Sequence, residues 1–213
     1  MPEPDWGVAR SVMVEQQLRA RGISDARVLE VMRTTPRHRF VPEALARDAY
    51  ADSPLLIGHG QTISQPYIVA LMTELARPLP GDRALDVGTG SGYQAAVLAQ
   101  LVARVDTLEL VEPLAREAGQ RLAGLDNVFT HVGDGYLGLP DRAPFDIIIV
   151  AAAPATVPPA LIAQLSPGGR LVIPLGAAPD HQELCLFERR VDGRVEERSI
   201  VPVRFVPLVP RPS

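Results

Sequence analysis

A glycine-rich turn is the first feature of this sequence that could do chemistry. The stretch Ala84–Val87, which contains Asp86, is predicted to be a short strand, and it ends in Gly88-Thr89-Gly90-Ser91-Gly92. In an open parallel sheet, ligands bind beyond the carboxyl ends of the strands, and glycines let the first turn approach a ligand closely. A dinucleotide site has the spacing G-x-G-x-x-G/A, whereas here the spacing is G-x-G-x-G and Tyr93 fills the last place. The turn therefore predicts a ligand site that is unlike a dinucleotide site.

Two further carboxylates stand where later strands are predicted to end. Glu109 lies in the run Val105–Leu110, at a place where a carboxylate can accept hydrogen bonds from two ribose hydroxyls. Asp134-Gly135 follows the run Val128–Val132, where a carboxylate could meet the exocyclic amine of an adenine. Together with Asp86, these acids would line one crevice. S-adenosylmethionine has a ribose, an adenine and a positive charge but no phosphates, so it fits this crevice better than NAD does.

Each acid also has a simpler interpretation. Asp86 could cap the glycine turn, Asp134-Gly135 could be an ordinary turn, and Glu109 could be a solvated strand end. For each acid taken singly, this structural interpretation is about as well supported as a role in ligand binding. The order of the three acids on consecutive strands favours the site.

The elements that must position these residues alternate between strands and helices. Predicted strands are Ala84–Val87, Val105–Leu110, Val128–Val132, Ile147–Val150 and Arg170–Pro174, with helices at Tyr93–Leu101, Leu114–Leu122 and Pro159–Leu165. This alternation predicts an α/β fold with a doubly wound, mostly parallel, Rossmann-like sheet. Two later runs, Glu183–Val191 and Arg194–Val201, are joined by Asp192-Gly193 and predict an antiparallel C-terminal hairpin.

The segment before the sheet is predicted to be helical. Helices are expected at Val12–Ala20, at Ala26–Met32 with Ser24 as its N-cap, and from Pro66 through Ala76, after the polar loop Gly60–Gln65. We expect a single domain over residues 1–213, made of an N-terminal extension (1–80), a cofactor-binding core (83–175), and a hairpin with a tail (183–208). The apolar tail Val203–Leu208 is expected to pack against the body.

Composition excludes several classes of protein. All 21 basic residues are arginine, and against 25 acidic residues they leave a net charge of −4. Without lysine there is no Schiff base and no P-loop, and without a basic field we expect no nucleic-acid or membrane partner. The lone Cys185 and four scattered histidines predict no metal site. The sequence shows no signal peptide or membrane span, so we expect a cytoplasmic protein. We also expect it to be a monomer.

Several segments resemble one enzyme family, the protein-L-isoaspartate O-methyltransferases. The resemblance is carried by Gly60–Tyr67, Ala84–Ala96 and Val132–Gly135, and also by Arg37–Pro42 and Val203–Leu208. It covers nearly the whole chain, from about Val12 to Leu208. Many class I methyltransferases share the glycine block and Asp134. The loop Thr62-Ile63-Ser64 and the C-terminal segment single out this family.

The resemblance implies methyl transfer from S-adenosylmethionine to the free α-carboxylate of L-isoaspartyl residues in damaged peptides and proteins. The ester then closes to a succinimide, whose hydrolysis returns some normal aspartate. The implied cofactor-binding residues are Asp86, Gly88, Gly90, Ser91, Glu109, Asp134 and Gly135. The implied substrate-binding residues are Thr62, Ile63, Ser64, Pro207 and Leu208, with Ser64 contacting the reacting carboxylate. The sequence departs from the family pattern at Ala151, Ala155 and Val209.

The implied chemistry needs no general base, because a carboxylate with a pKa near ~4 is already ionised at neutral pH. Ser64 would then be a positioning donor; alternatively, it caps the helix that Pro66 begins. Three competing functions remain at this point. They are a class I methyltransferase with another substrate, an NAD-dependent oxidoreductase, and a non-catalytic S-adenosylmethionine-binding regulator.

Overall fold

Residues 6–76 form helices around one small β-hairpin. The computed structural model describes residues 5–178 and 180–211. The elements of this part are α1 (Trp6–Met13), a π-helical turn (Val14–Leu18) and a 3-10 turn (Arg19–Arg21) that continue it, α2 (Ala26–Thr34), 3-10 turns at Arg37–Phe40 and Glu43–Asp48, β1 (Leu55–Gly58), β2 (Gln61–Ile63) and α3 (Pro66–Ala76). The helical extension is thus confirmed, with boundaries that differ from those predicted.

Helix caps account for two of these differences. The first helix begins at Trp6 rather than Val12, because the Asp5 carboxylate accepts hydrogen bonds from the first backbone amides. The predicted N-cap Ser24 is wrong: Asp25 caps α2 by accepting from the Arg27 amide. The amide and hydroxyl of Ser24 donate instead to the Glu74 carboxylate of α3.

The residues around Ser64 also differ from the prediction. Gln61–Ile63 form β2, antiparallel to β1, in place of a polar loop. Pro66 occupies the first turn of α3 as predicted, but the N-cap is Gln65 and no side chain caps the helix. The alternative interpretation of Ser64 as a helix cap is therefore wrong.

A seven-stranded sheet forms the rest of the molecule. In chain order its strands are β3 (Arg83–Val87), β4 (Arg104–Glu109), β5 (Val128–Val132), β6 (Phe145–Val150), β7 (Leu165–Leu175), β8 (Gln182–Arg189) and β9 (Val195–Val203), and its helices are α4 (Tyr93–Ala99), α5 (Glu112–Leu122) and α6 (Pro159–Ala163). The spatial order is β5-β4-β3-β6-β7-β8-β9. The first five strands in this order, β5-β4-β3-β6-β7, are parallel to one another. Strand β8 pairs antiparallel with β7, and β9 pairs antiparallel with β8. The predicted α/β fold with a C-terminal hairpin is confirmed.

One strand begins earlier than expected. The sequence Pro167-Gly168-Gly169 predicts a turn before a strand at Arg170, yet β7 already begins at Leu165. The pairing of β6 with β7 is irregular at this point, so the glycines lie in a bulged strand instead of a turn.

Two apolar cores cover the two faces of the sheet. Ile147 and Ile149 of β6 pack with the N-terminal helices, whereas Ile148 and Val150 pack with α6. Burying each such side chain contributes roughly 1.5–3 kcal/mol. Cys185 lies in the second core as a small buried residue. Because the N-terminal helices share one core with the sheet, the loops between them are held next to the carboxyl ends of the strands.

The C-terminal segment returns to the sheet as predicted. The Ala153 amide donates to the Val206 carbonyl (2.8 Å), and the Leu208 amide donates to the Ala153 carbonyl (2.9 Å). The Tyr136 hydroxyl donates to the Leu208 carbonyl. Among the described helices, none has the length and apolarity of a membrane span.

Candidate active site

A cavity lies beyond the carboxyl ends of β3 and β4, with about 900 Å³ of empty space that is partly open to solvent. Its wall includes the glycine-rich turn, the end of β4 with the residues that follow it, the residues that follow β6, and Gly135 after β5. It also includes β2 with the residue that follows it, α3, and the returning tail. Ten of the twelve residues predicted for the site line it, namely Thr62, Ile63, Ser64, Gly88, Gly90, Ser91, Glu109, Gly135, Pro207 and Leu208. The remaining two, Asp86 and Asp134, do not line it.

The glycine-rich turn is held tightly between β3 and β4. The Gly88 amide donates to the Leu108 carbonyl (2.8 Å), which fixes the start of the turn. Gly90 (φ 52°) and Gly92 (φ 91°) lie in the left-handed region, which side chains other than glycine adopt only with strain. A Cβ atom at Gly92 would also lie 3.0 Å from the Leu122 side chain. These two glycines are therefore required by the backbone path.

Glu109 is the acid that faces the cavity. It ends β4 and is 7% exposed. Its Oε2 accepts from the Gly90 amide (2.8 Å), and its Oε1 accepts from the Val111 amide (3.0 Å). Each carboxylate oxygen can accept a further hydrogen bond, so the group is held in place and still able to bind a pair of hydroxyls.

Asp86 lies behind the cavity wall and is fully buried. Its Oδ2 accepts from the Thr107 hydroxyl (2.7 Å), whose oxygen is 2.6 Å from that of Thr89. Its Oδ1 has no hydrogen-bond partner among the described residues. Burial raises the pKa of this carboxyl to about 7, against a stabilising bond from Thr107 and in the same direction as the nearby Glu109 charge.

Asp134 organises the tail rather than the cavity. Its Oδ1 accepts from the Tyr136 amide (2.8 Å), and its Oδ2 accepts from the Arg211 amide (2.9 Å). Gly135, the next residue, does line the cavity. A Cβ atom at Gly135 would come within 2.9 Å of both the Val87 and the Leu208 side chains, so the backbone here forms a narrow cradle.

Ser64 lies between two cavities. A second cavity, with about 1310 Å³ of open space, shares Thr62, Ser64, Ala151 and Val206 with the first. On its far side the Arg21 guanidinium stacks 3.5 Å above the ring of Tyr67. Ser64 therefore stands at the boundary of the two cavities, together with Thr62, Ala151 and Val206.

Sequence reasoning assigned no role to two threonines: Thr89, which lines the cavity, and Thr107, which bonds Asp86 behind the wall. Ala151, noted from the sequence only as a departure from the family pattern, also lines the cavity. Thr107 lies on β4 and pairs with Asp86 of β3 across the sheet, a register that a single sequence does not give. No group of three or more His, Cys, Asp or Glu side chains within residues 5–178 and 180–211 could hold a metal ion.

Comparison with known proteins bears on this geometry. The family model described as protein-L-isoaspartate(D-aspartate) O-methyltransferase matches residues 9–213. The protein-L-isoaspartate O-methyltransferase of Opitutus terrae is 55% identical over 201 residues, covering 93% of this chain and 86% of that protein. Protein-L-isoaspartate O-methyltransferase 2 of a Polaromonas species is 58% identical over 186 residues, covering 86% of this chain and 88% of that protein.

Solved structures give the same result for the fold. A protein-L-isoaspartate O-methyltransferase superposes with a TM-score of 0.82 at 28% identity, over 93% of this chain and 65% of that chain. A Plasmodium falciparum structure named for the same activity, in complex with S-adenosyl-L-homocysteine, superposes with a TM-score of 0.79 at 27% identity. That match covers 97% of this chain and 99% of the other.

Proposed function

The chain belongs to the protein-L-isoaspartate(D-aspartate) O-methyltransferase family, and we propose that it transfers a methyl group from S-adenosylmethionine to the free α-carboxylate of L-isoaspartyl residues in damaged peptides and proteins. The observation that carries this proposal is the pair of cavities that meet at Ser64. One is lined by Glu109 and by the glycines of the turn, as a nucleoside cofactor requires. The other is open enough for a peptide. The methyl ester then closes spontaneously to a succinimide.

The cofactor cavity fits S-adenosylmethionine in its donor and acceptor groups. The Glu109 carboxylate supplies acceptors for two hydroxyls, and the buried Asp86, whose Oδ1 has no partner among the described residues, adds negative charge from behind the wall. Gly135 and Leu208 both line the cavity, so a flat ring would contact this part of the wall. When bound, the cofactor supplies a methyl group on a sulfonium, which is an electrophile.

We assign the cofactor-binding roles as follows. Glu109 holds the ribose, and Gly88, Gly90, Ser91 and Asp86 hold the methionine end. The adenine lies against Gly135, while Asp134 acts from behind by fixing the turn and the tail. The NAD alternative is disfavoured, because Tyr93 fills the place of the third glycine, which in dinucleotide sites allows the helix to pack closely on the strand.

The protein's task in the transfer is alignment. The attacking carboxylate is already ionised at neutral pH, so no proton has to be removed. Ser64 donates a hydrogen bond that orients this carboxylate, and Thr62, Ile63, Pro207 and Leu208 hold the peptide around it. Alignment and exclusion of water can lower a barrier by ~7–11 kcal/mol.

Ser64→Ala tests this assignment. Loss of one orienting hydrogen bond predicts turnover of an isoaspartyl peptide lower by about tenfold or more, with the affinity for S-adenosylhomocysteine unchanged. The matched control is Ser199→Ala. Ser199 lies in β9, outside the site, and its exposed hydroxyl donates to Glu183. Turnover equal to the unmodified protein would refute the role of Ser64.

The same assay separates the remaining functions. The unmodified protein should methylate the isoaspartyl peptide and leave its aspartyl twin untouched. Binding of S-adenosylhomocysteine with methylation of neither peptide would indicate a methyltransferase for another substrate or a non-catalytic regulator.

We further propose that residues 1–213 act as one domain, as a cytoplasmic monomer without nucleic-acid or membrane partners. The net charge of −4 and the core shared by the N-terminal helices and the sheet support this. Residues 1–4, 179 and 212–213 of the proposed domain lie outside the described residues. Sedimentation of the purified protein tests the oligomeric state, with a mass of 23.0 kDa expected.

A further inference from the structure

Three buried side chains form a continuous chain of hydrogen bonds from the interior of the sheet to the wall of the cofactor cavity. Asp86 on β3 and Thr107 on β4 are fully buried, and Thr89 in the glycine-rich turn is 3% exposed. The distances are 2.7 Å from Thr107 Oγ1 to Asp86 Oδ2 and 2.6 Å from Thr89 Oγ1 to Thr107 Oγ1. Of the three, only Thr89 lines the cavity.

The direction of each bond follows from the number of hydrogens available. An ionised carboxylate has only acceptors, so Thr107 must donate its single hydroxyl hydrogen to Asp86. The contact between the two threonines then needs a hydrogen from Thr89, which makes Thr107 the acceptor. With its hydrogen used, the Thr89 hydroxyl has only a lone pair left for anything that binds in the cavity.

The charges around Asp86 do not alter this direction. Its two neighbours across the sheet are Thr107 on β4 and Ile149 on β6. The charged group that acts on it is Glu109, also an acid. Among the described residues, no basic side chain forms an ion pair with Asp86, so its negative charge is not cancelled within the sheet.

We propose that Thr107 and Thr89 relay the buried charge of Asp86 to the cavity wall, where the Thr89 oxygen selects ligands with a protonated amine at the amino-acid end. Thr107 is a positioning residue in this scheme, because it acts through Thr89. The inference rests on the proposed function for the identity of the ligand. The inference adds Thr107, which lies two residues before Glu109 on β4, as a determinant of cofactor selectivity.

The test compares two ligands that differ in one group: S-adenosylhomocysteine and its analogue with hydrogen in place of the amine. Calorimetric dissociation constants give a selectivity ratio for each variant. For the unmodified protein we expect a ratio of about tenfold or more in favour of the amine, as for a charge-assisted hydrogen bond. Thr89→Val and Thr107→Val should reduce this ratio severalfold, whereas Thr89→Ser and Thr107→Ser should keep it.

The control is Thr130→Val, because Thr130 pairs with Thr107 on the neighbouring strand and lies outside the chain of three. Thr89→Val leaves the bond from Thr107 to Asp86 in place. If Thr107→Val does not fold, Thr89→Val still tests the relay. An unchanged ratio in folded Thr89→Val overturns the relay. Failure of the unmodified protein to bind S-adenosylhomocysteine at all would instead overturn the proposed function.

A second readout is the pH dependence of the ratio. Protonation of Asp86 lets the carboxyl donate, which allows the chain to reverse and Thr89 to offer a hydrogen to the cavity. The ratio for the unmodified protein should fall as the pH is lowered from about 8 to about 5.5, across the pKa of about 7. A ratio with the same pH dependence in Thr89→Val would also overturn the relay.

Discussion

Asp86 in the sheet and Arg37 in the N-terminal segment are both charged and fully buried, yet they are placed in different surroundings. Asp86 connects through two hydroxyls to a cavity. Arg37 donates from Nε to the Ala49 carbonyl (2.7 Å), while Nη1 and Nη2 have no hydrogen-bond partner among the described residues. Its guanidinium lies 5.0 Å from the centre of the Tyr93 ring. Arg37 is thus enclosed by protein, whereas Asp86 is linked by hydrogen bonds to a residue of the cavity wall.

The pKa values show what this difference means. Burial lowers the pKa of Arg37 to about 10, so the guanidinium remains charged at every pH at which the enzyme could work. The free-energy cost of burying this charge is therefore constant over that range. Burial raises the pKa of Asp86 to about 7, so its cost changes within the physiological range. A ligand with an amine could offset the cost of Asp86. The cost of burying Arg37 is offset within the protein, by the bond to the Ala49 carbonyl and by the ring of Tyr93, which itself lines the cavity.

The largest expected effect is that of Asp86→Asn on stability. Because the folded pKa is above the unfolded value of 3.8, the folded state binds more protons between these values, and stability falls as pH rises from about 4 to about 7. Asn removes this cost, so at about pH 8 the variant should be more stable by on the order of 4 kcal/mol. Melting temperatures measured across this range test the prediction. Parallel curves for the two proteins would contradict it.

Asp106 provides a matched control of opposite sign. It is equally buried on β4, but it accepts two hydrogen bonds from Arg104 (2.7 and 3.0 Å) and one from His131 (2.8 Å). These bonds lower its pKa against the effect of burial, so its contribution to stability is present above pH ~4 and lost in acid. Asp106→Asn should destabilise the protein by about 1–3 kcal/mol at neutral pH. A stabilised variant in urea unfolding would show that this cluster is as costly as Asp86.

Arg37→Met tests the other half of the comparison. Removing a buried charge without an ionic partner should stabilise the fold by about 1–2 kcal/mol, after the lost bond to Ala49 is counted. The gain should not depend on pH between about 5 and about 9, in contrast to Asp86→Asn. Tyr93 loses its support, so the dissociation constant for S-adenosylhomocysteine should rise about threefold. A gain in stability that follows the pH dependence of Asp86→Asn would refute the distinction between the two charges.

The smallest effect on stability is expected at an acid in full contact with solvent. Asp192, in the turn between β8 and β9, accepts from the Arg194 amide (3.0 Å) and Nε (2.7 Å), and these bonds lower its pKa. Arg194→Ala should leave the melting temperature unchanged, because exposed ion pairs contribute little.

The same variant should change the chemistry of the turn. Isomerisation starts when the Gly193 nitrogen attacks the Asp192 carboxyl carbon and water leaves, but the Gly193 amide donates to the Arg190 carbonyl and the carboxylate is held ionised. We expect Arg194→Ala to accumulate isoaspartate at residue 192 about two- to threefold faster, as measured by mass spectrometry. Arg198→Ala, in exposed β9, is the control. Equal rates in the two variants would show that Arg194 does not protect the turn.

The sequence predicts the centre of the sheet well because strands such as β6 are buried apolar runs. Ile147–Val150 could not be exposed in any arrangement, and the helices between the strands have clear apolar faces. Ser24 and Asp25 are both good N-caps and are adjacent, and the choice between them depends on Glu74, which is distant in sequence. Such long-range contacts are not visible in a local pattern.

The sequence predicted that the site residues stand at the ends of strands. It did not predict which way their side chains point. Asp86, Glu109 and Asp134 all stand near the ends of strands, as expected, but Glu109 is the one whose side chain lines the cavity. Sequence position does not specify which way a side chain points at the end of a strand. The contacts of Asp86 depend on the register of β3 with β4, which places Thr107 beside it.

The returning tail has a consequence for synthesis on the ribosome. Ser64 is made early, and the glycine-rich turn follows, but Pro207 and Leu208 join the wall through Ala153 only after the hairpin has emerged. A nascent chain that has not yet reached residue 208 can form the parallel strands and bury their apolar faces. It still lacks one wall of the cavity, so methyl transfer should begin only after translation has passed the last strand.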